Sequence, residues 1–354
     1  MTAPSHTPEA PAADAAGGIT LGRRVLNYLA SGAGIVLVLL IAILVVIIAK
    51  NPSAGEPEAL VNSLHKATPL LLLAIGQYFV IVVGEFDLSV GAIVTTQAAI
   101  AAVLLNKQDE GTYGVIALML VVGLAVGLVN GLIITLLKVP SFIATLAMML
   151  VLVGATNLWT GGGIVKGALS DEFRKIGRPL FGIENVPGVG TISWAVIIVV
   201  VVGVLAGFLM KSSFGRVLMV TGDNDKAAAF AGSRTNVTKI AAFMLSSVIA
   251  TIAAIILAGN TSSTVDLSIG NGLEFQAITA VVLGGVVLGG GAGSLFAAIL
   301  GALTLYFIEP LFRELGVSPE LRPAVQGFIL IVAVAYAARS GSLRRRKGTE
   351  KRQS

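Results

Sequence analysis

Ten apolar runs follow one another along this chain, near residues 30–49, 67–83, 91–105, 114–137, 141–159, 192–209, 239–258, 275–290, 293–309 and 322–338. A helix needs about 20 such residues to cross ~30 Å of hydrocarbon. Only 12% of the 354 residues are charged, where a soluble domain carries about 25%. Length alone would suggest two or three soluble domains. The apolar runs override that, and the sequence predicts one all-α integral membrane unit of about ten transmembrane helices. The 42 glycines suit a bundle whose helices associate through close contact in lipid.

Two of the runs are short, and each follows an acidic, glycine-ended pentapeptide. Asp87-Leu88-Ser89-Val90-Gly91 recurs as Asp266-Leu267-Ser268-Ile269-Gly270. In a membrane chain such a repeat points to two related halves with discontinuous helices, and so to transport. Ten spans put both termini on one side, and 15 of the 24 Lys and Arg residues fall on that side. The excess places both termini in the cytoplasm. The halves, about 60–160 and 239–338, then carry their motifs on opposite sides, as in an inverted repeat. A carboxylate at the bilayer centre costs about 3 kcal/mol. Asp87 and Asp266 therefore either bind an ion or proton or cap the helix after each break, and the Asp-x-Ser spacing with flanking glycines favours capping.

The domain boundaries follow. Residues 1–22 form a disordered tail rich in Ala, Pro and Gly. Residues 23–340 form the membrane domain, whose first span is an uncleaved anchor, because no small-residue cleavage site follows it. Residues 341–354 form a basic tail. The basic clusters sit at span ends, which reads as a topology signal and not as nucleic-acid binding. With no cysteine, disulfides and thiolate metal sites are excluded. His6 and His65 read as solvent-exposed. No Gly-x-x-x-x-Gly-Lys-Ser/Thr loop is present, so the chain is expected to bind no ATP and no other cofactor, and to work as something other than an enzyme. The glycines of 289–293 read as a tight turn or close packing between spans.

The longest internal cytoplasmic segment, 211–238, contains Gly222-Asp223-Asn224, then Ala227, Ala228 and Ala229, then Gly232. Asn224 or Asp223 suits an N-cap, and Gly232 a left-handed C-terminal stop. About two helical turns result, too few to be stable alone. They pack on this chain as a linker, or they dock in a groove of a cytoplasmic partner. Among polar residues within spans, Gln77 and Asn130 are the favoured candidates for lining a solute route. Phe142, Trp159 and Phe275 are candidates for stacking on a sugar face, with interface anchoring equally open for Trp159. In the outer loop 161–191, Arg174, Lys175 and Arg178 read either as a solvated cap or as a landing surface for an acidic binding protein. An ion-coupled secondary transporter and a membrane scaffold remain alternatives on these residues alone.

Several motifs occur in order: Gly84 to Gly91, Asn130-Gly131, Val139-Pro140-Ser141-Phe142-Ile143-Ala144-Thr145-Leu146, Phe214-Gly215-Arg216, Gly222-Asp223-Asn224 with Gly232, and Leu283-Gly284-Gly285 through Gly291. Together, from about residue 60 to 338, they resemble the permease subunits of bacterial ribose-type ABC sugar importers. The resemblance implies a homodimer in the bacterial cytoplasmic membrane. It also implies ATP and Mg on separate cytoplasmic ATPase subunits, contacted by a coupling helix at 223–232, and solute supplied by an extracytoplasmic binding protein. The solute would be a pentose, hexose, polyol, nucleoside or sugar-like signal. Two departures stand out: Glu85 occupies a position often held by glycine, and Ser233-Arg234-Thr235 is unusually polar.

Overall fold

The computed structural model describes residues 32–165, 167–261, 264–321, 324–325, 327–328 and 331. Both tails, Gln326 and most of the expected last span lie outside them. The elements run α1 Gly32–Lys50, α2 Pro57–Val82, α3 Val90–Leu105, α4 Thr112–Leu136, α5 Ser141–Thr160 and α6 Asp171–Gly177. A hairpin follows, β1 Gly182–Val186 and β2 Gly190–Ser193, then α7 Trp194–Lys211, α8 Ser213–Asp223, α9 Asp225–Phe230, α10 Thr235–Gly259, α11 Leu273–Leu283 and α12 Leu295–Glu314. Among the described residues, seven helices (α1, α2, α4, α5, α7, α10 and α12) are long and apolar enough to cross a membrane, while α3 and α11 are shorter apolar helices.

Burial separates a core from a sheath. The apolar stretch of α2 is 89% buried and that of α10 61%, against 22–28% for α1, α4, α5 and α7. The sheath helices present Val121, Leu150, Val200 and similar side chains outward, as lipid requires. The core gathers Leu72, Tyr78 and Phe79 of α2 with Ile93 of α3, Ala250 of α10 and Val281 of α11. The hairpin pairs antiparallel, Gly182 with Ser193 and Ile183 with Ile192. Ser193 then caps α7, accepting from Val196 N–H.

Small residues bring α4 onto α10. Gly123, Gly127 and Gly131 recur every fourth residue, so they share one helical face. A Cβ at Gly127 would sit 2.5 Å from the Phe243 carbonyl oxygen and 2.7 Å from Met244 Cα; one at Gly131 would sit 2.7 Å from Ile240 Cα. Without a solvent-driven hydrophobic effect between helices in lipid, such backbone contact supplies the attraction.

Four expectations need correction. The second span begins at Pro57, ten residues before the apolar run. That places His65 inside α2, where it is buried with Nδ1 2.8 Å from Ser193 Oγ and not exposed. The run 275–290 is helical only to Leu283, because Gly285 adopts φ +81° and 284–294 becomes a loop. Residues 213–223, read as loop, form α8, with Ser212 accepting from Phe214 N–H as its cap. Gly222 and Asp223 therefore end α8, and the short helix itself is Asp225–Phe230.

The glycine face makes a direct prediction. Gly127→Val should lower the thermal stability of the detergent-solubilised protein by about 1–3 kcal/mol, the usual cost of overpacking. Gly114→Val on the same helix, where no atom lies within 4 Å of the added carbon, should leave it unchanged.

Candidate functional site

Between α2 and α3 the chain leaves helical geometry for 84–89, and its amides must be satisfied inside the protein. They are satisfied almost in register. Glu85 N–H donates to the Val80 carbonyl at 3.0 Å. Phe86 N–H donates to Ser141 Oγ at 3.1 Å, and Leu88 N–H to Thr145 Oγ1 at 3.1 Å. Ser141 and Thr145 are four apart in the first turns of α5, so both hydroxyls face the break. With its amide oriented to satisfy both ends, Gln77 donates to the Asp87 carbonyl (3.2 Å) and accepts from Asp87 N–H (3.3 Å). Ser89 N–H donates to Asp87 Oδ1 at 3.0 Å.

The Asp87 side chain is fully buried. Its Oδ1 also accepts from Ser89 Oγ, and its Oδ2 accepts from Ser246 Oγ of α10 at 2.9 Å. Asn130 Nδ2 of α4 donates to Ser89 Oγ at 3.0 Å. One carboxylate thus ties the break to α4 and α10. Gln77 and Asn130 are 0% exposed; both belong to this network and neither lines an opening in a single copy. Asp87 accepts from the residue that precedes α3, so it stabilises the approach to the helix and leaves the first-turn amides to others.

The second motif is built differently. Asp266 and Ser268 are exposed. Asp266 Oδ1 accepts from Ser268 N–H at 2.7 Å, which closes a turn, and α11 begins only at Leu273 with Gly272 before it. Asp266 therefore caps no helix. Residues 163–165 pair with 265–267, through Val165 N–H to Val265 O at 3.0 Å and Leu267 N–H to Gly163 O at 3.3 Å. The first turn of α5 holds the first motif, and the chain just beyond its last turn holds the second. The motifs approach from opposite ends of α5, a helix of 20 residues and so about 30 Å long. They meet at their last glycines. A Cβ at Gly91 would lie 2.5 Å from the Gly270 carbonyl oxygen, and Gly270 N–H donates to Thr95 Oγ1 at 3.1 Å. Glu274, buried in the first turn of α11, closes over the same point.

At the other end of the first motif three backbones touch. A Cβ at Gly222 would overlap the Val82 carbonyl oxygen, and one at Gly290 would lie 2.7 Å from Gly84 N and 2.9 Å from Gly222 Cα. Gly291 N–H donates to Val82 O at 2.8 Å. The helix end at Gly222, the break at Gly84 and the glycine loop at 290–291 are thus in direct contact. Asn224 Oδ1 caps α9, accepting from Ala227 N–H at 3.0 Å. Gly232 (φ +81°) ends it, with Ser233 N–H donating back to Ala228 O at 3.0 Å. Ala228 faces inward, whereas Ala227 and Ala229 are exposed and Phe230 is 94% exposed. Lys239 Nζ lies 2.8 Å from Glu85 Oε1 and 3.0 Å from Asp225 Oδ2.

In the outer loop, Arg174 Nη1 pairs with Asp171 at 3.5 Å and its Nη2 donates to Thr261 O at 3.3 Å. Lys175 pairs with Glu172 at 2.6 Å, which holds the Glu172 carboxyl below its ordinary range and the Lys175 ammonium above its own. Those two cations are balanced within α6, while Arg178 lies half-buried just past it. Phe142, Trp159 and Phe275 are 50–55% exposed on the flank of a single copy. Sequence reasoning missed Ser246, Phe230 and Lys239 as contributors. Phe230 carried a signal, an aromatic side chain beside three alanines in a polar segment. Ser246 and Lys239 carried none, because Asp87 and Glu85, the partners that tie them to the break, lie more than a hundred residues away.

Residues 59–334 match a family described as "Branched-chain amino acid transport system / permease component". The chain is 35% identical over 270 residues to the autoinducer 2 import system permease protein LsrC of Escherichia coli (strain SMS-3-5 / SECEC), covering 76% of each chain. It is 32% identical over 299 residues to the ribose import permease protein RbsC of Escherichia coli (strain K12), covering 84% of this chain and 91% of that one. No solved structure gives a significant match.

Asp87→Ala should reduce the yield of folded protein and its thermal midpoint together with uptake. It strips three donors of their acceptor, and each buried unsatisfied donor costs about 1–3 kcal/mol. Asp87→Asn keeps one acceptor oxygen and should lose less. Unfolding curves paired with vesicle uptake separate this from a proton-binding role, which would alter pH dependence and leave assembly intact.

Proposed function

The chain belongs to the family of transport-system permease components, and on that footing we propose that it is the membrane subunit of an ATP-driven importer of a small polyhydroxylated solute. Two copies form the pathway in the bacterial cytoplasmic membrane with both termini inside. Each docks on a cytoplasmic ATPase that holds ATP and Mg, and an extracytoplasmic binding protein delivers the solute.

One observation carries the reading: α9. A six-residue helix does not persist on its own, yet this one is capped at both ends and seated by Ala228. It holds outward an apolar surface of Ala227, Ala229 and Phe230. An amphipathic helix with an aromatic knob fits a groove on a partner, and the backbone contacts of Gly222 connect it to the helix break. Sequence placed the docking residues at Gly222, Asp223, Asn224, Ala227, Ala228, Ala229 and Gly232. Of these, Ala227 and Ala229 with Phe230 form the docking face, while Gly222, Asn224, Ala228 and Gly232 position it.

The family description names branched-chain amino acids, but relatives of 32–35% identity carry autoinducer 2 and ribose in their names. The greater weight belongs to those relatives, matched over 76–91% of their own length, which supports a sugar or sugar-like solute. Gln77 and Asn130 are committed to the network around Asp87, so the path runs between two copies, where the exposed Phe142 and Phe275 are free to line it. A secondary transporter would need Asp87 for a cation. Its two oxygens already accept three hydrogen bonds, which supports a structural role instead.

Phe230→Ala should cut the ATPase retained in a co-purification by at least roughly tenfold, the scale of an aromatic hot spot, without changing the thermal midpoint of the permease itself. Ala229→Pro should do the same by breaking α9. Unchanged retention in both variants would remove the docking role, and ATP-independent uphill uptake by the purified chain in vesicles would remove the whole reading.

A further inference from the structure

We propose that Lys239 is a positioning residue of the transport cycle, tying the docking helix to the helix break so that displacement of one is delivered to the other. This rests on the function proposed above. Asp225 is the first residue of α9, Glu85 stands two residues before Asp87, and Lys239 lies in the second turn of α10. One ammonium, 2.8 Å from Glu85 Oε1 and 3.0 Å from Asp225 Oδ2, joins the start of α9 to a break more than a hundred residues earlier in the chain.

The two arms differ in character. The side chains of Lys239 and Glu85 are 15% and 14% exposed, and that of Asp225 is 47% exposed. The inner arm is shielded from water and salt, and removing one member strands a charge in a poorly hydrated place. The outer arm is half in solvent and weaker. Lys239 therefore stays with Glu85 and holds Asp225 on a looser tether.

The tether supplies what the neighbouring contacts lack. Gly222 presses on Val82 and Gly291, and Gly290 on Gly84, backbone against backbone. Such contact transmits a push toward the bundle, because no side chain is present to yield. It transmits no pull. An ion pair does, because its attraction falls slowly with distance. Together, the glycine contact and the Lys239 bridge oblige the break to follow α9 in both directions. The extra carboxylate at position 85 thus has a role in this chain that glycine would not fill.

The test uses the complete complex of this chain with its ATPase and binding protein, reconstituted in vesicles, with Glu85→Gln/Lys239→Met as the main variant. Removing both charges of the shielded arm leaves only Asp225 unpaired, and that carboxylate is half in solvent, so the fold is kept. The expected result is an ATPase that still co-purifies, with solute uptake per ATP hydrolysed lowered roughly tenfold, within the 5–150-fold range of typical inter-site coupling. Asp225→Asn, which loosens only the outer arm, should lower the ratio less. An uptake-to-hydrolysis ratio within about twofold of the unaltered complex overturns the proposal. So does parallel loss of thermal stability, ATPase retention and uptake, the signature of a purely structural pair. If the unaltered chain retains no ATPase at all, the functional reading itself falls, and the same pull-down reveals it before any variant is compared.

Discussion

A peptide group without a partner costs several kcal/mol in a medium that cannot hydrogen-bond, and that constraint organises this molecule. The chain gives up helical geometry for 84–89, and the N–H groups there find acceptors in defined neighbours. Ser141 and Thr145 on α5, Gln77 on α2 and the Asp87 carboxylate are the acceptors. Once those are fixed, the rest has little freedom. The first turns of α5 must lie beside the break. Ser246 brings in α10, Asn130 brings in α4, and the glycine face of α4 then lies on α10. A buried carboxylate is normally a liability in a membrane protein. Here three donors surround it, and the irregular segment that carries it is bonded to α2, α4, α5 and α10.

The same packing gives the bundle a line of contacts that side chains do not cushion. Gly222 meets Gly290 and Val82, Gly290 meets Gly84, and beyond the break Gly91 meets Gly270. Protein interiors resist compression because they are already close-packed, and a glycine crossing has no rotamer to absorb a shift. The alternative, bulkier residues at these crossings, would let each segment adjust on its own. The second motif lies at the far end of this line, bonded through 265–267 to the residues after α5. The polar-end helix α9 and the turn at Asp266 are therefore joined through two helix breaks that touch.

Much of this was legible in the sequence, for definite reasons. Apolar runs mark spans because lipid permits little else, and those within the described residues fall on helices except where 275–290 turns into a loop after Leu283. Asn224 and Gly232 announced a short helix because caps are local chemistry, fixed by three or four neighbouring residues. What escaped was non-local. A glutamine or asparagine within a span reads the same whether it faces a solute or a backbone, so sequence offers Gln77 and Asn130 for a route and does not show that Gln77 bonds the Asp87 backbone and Asn130 the Ser89 hydroxyl. The pentapeptide repeat implied two equivalent breaks. Nearly identical letters gave a fully buried Asp87 and an exposed Asp266, because the Asp87 segment is bonded by α2, α5 and α10 whereas the Asp266 carboxylate accepts locally from Ser268 N–H. Ser213–Asp223 looked like a loop because Gly215 and Gly222 lower its helix propensity, yet those glycines are where the helix comes closest to Met210 and Val82.

Glu85 shows how the pairing changes a functional argument. Met as sequence alone, a carboxylate beside the break motif stands against an uncharged solute, since it would face the cargo with a fixed negative charge. In the folded chain its Oε1 is 2.8 Å from Lys239 Nζ and its side chain is 14% exposed. An ion pair of that kind presents almost no net charge to a passing molecule, and its field is spent on its own partner. Asp87 is likewise turned inward and saturated with donors. The carboxylates of the first break thus serve the scaffold, while Phe142 and Phe275 stand half-exposed on the flank of a single copy. Aromatic faces suit the C–H faces of a sugar ring better than they suit an ion, and the paired charges of the break leave the uncharged solute proposed for this chain unopposed.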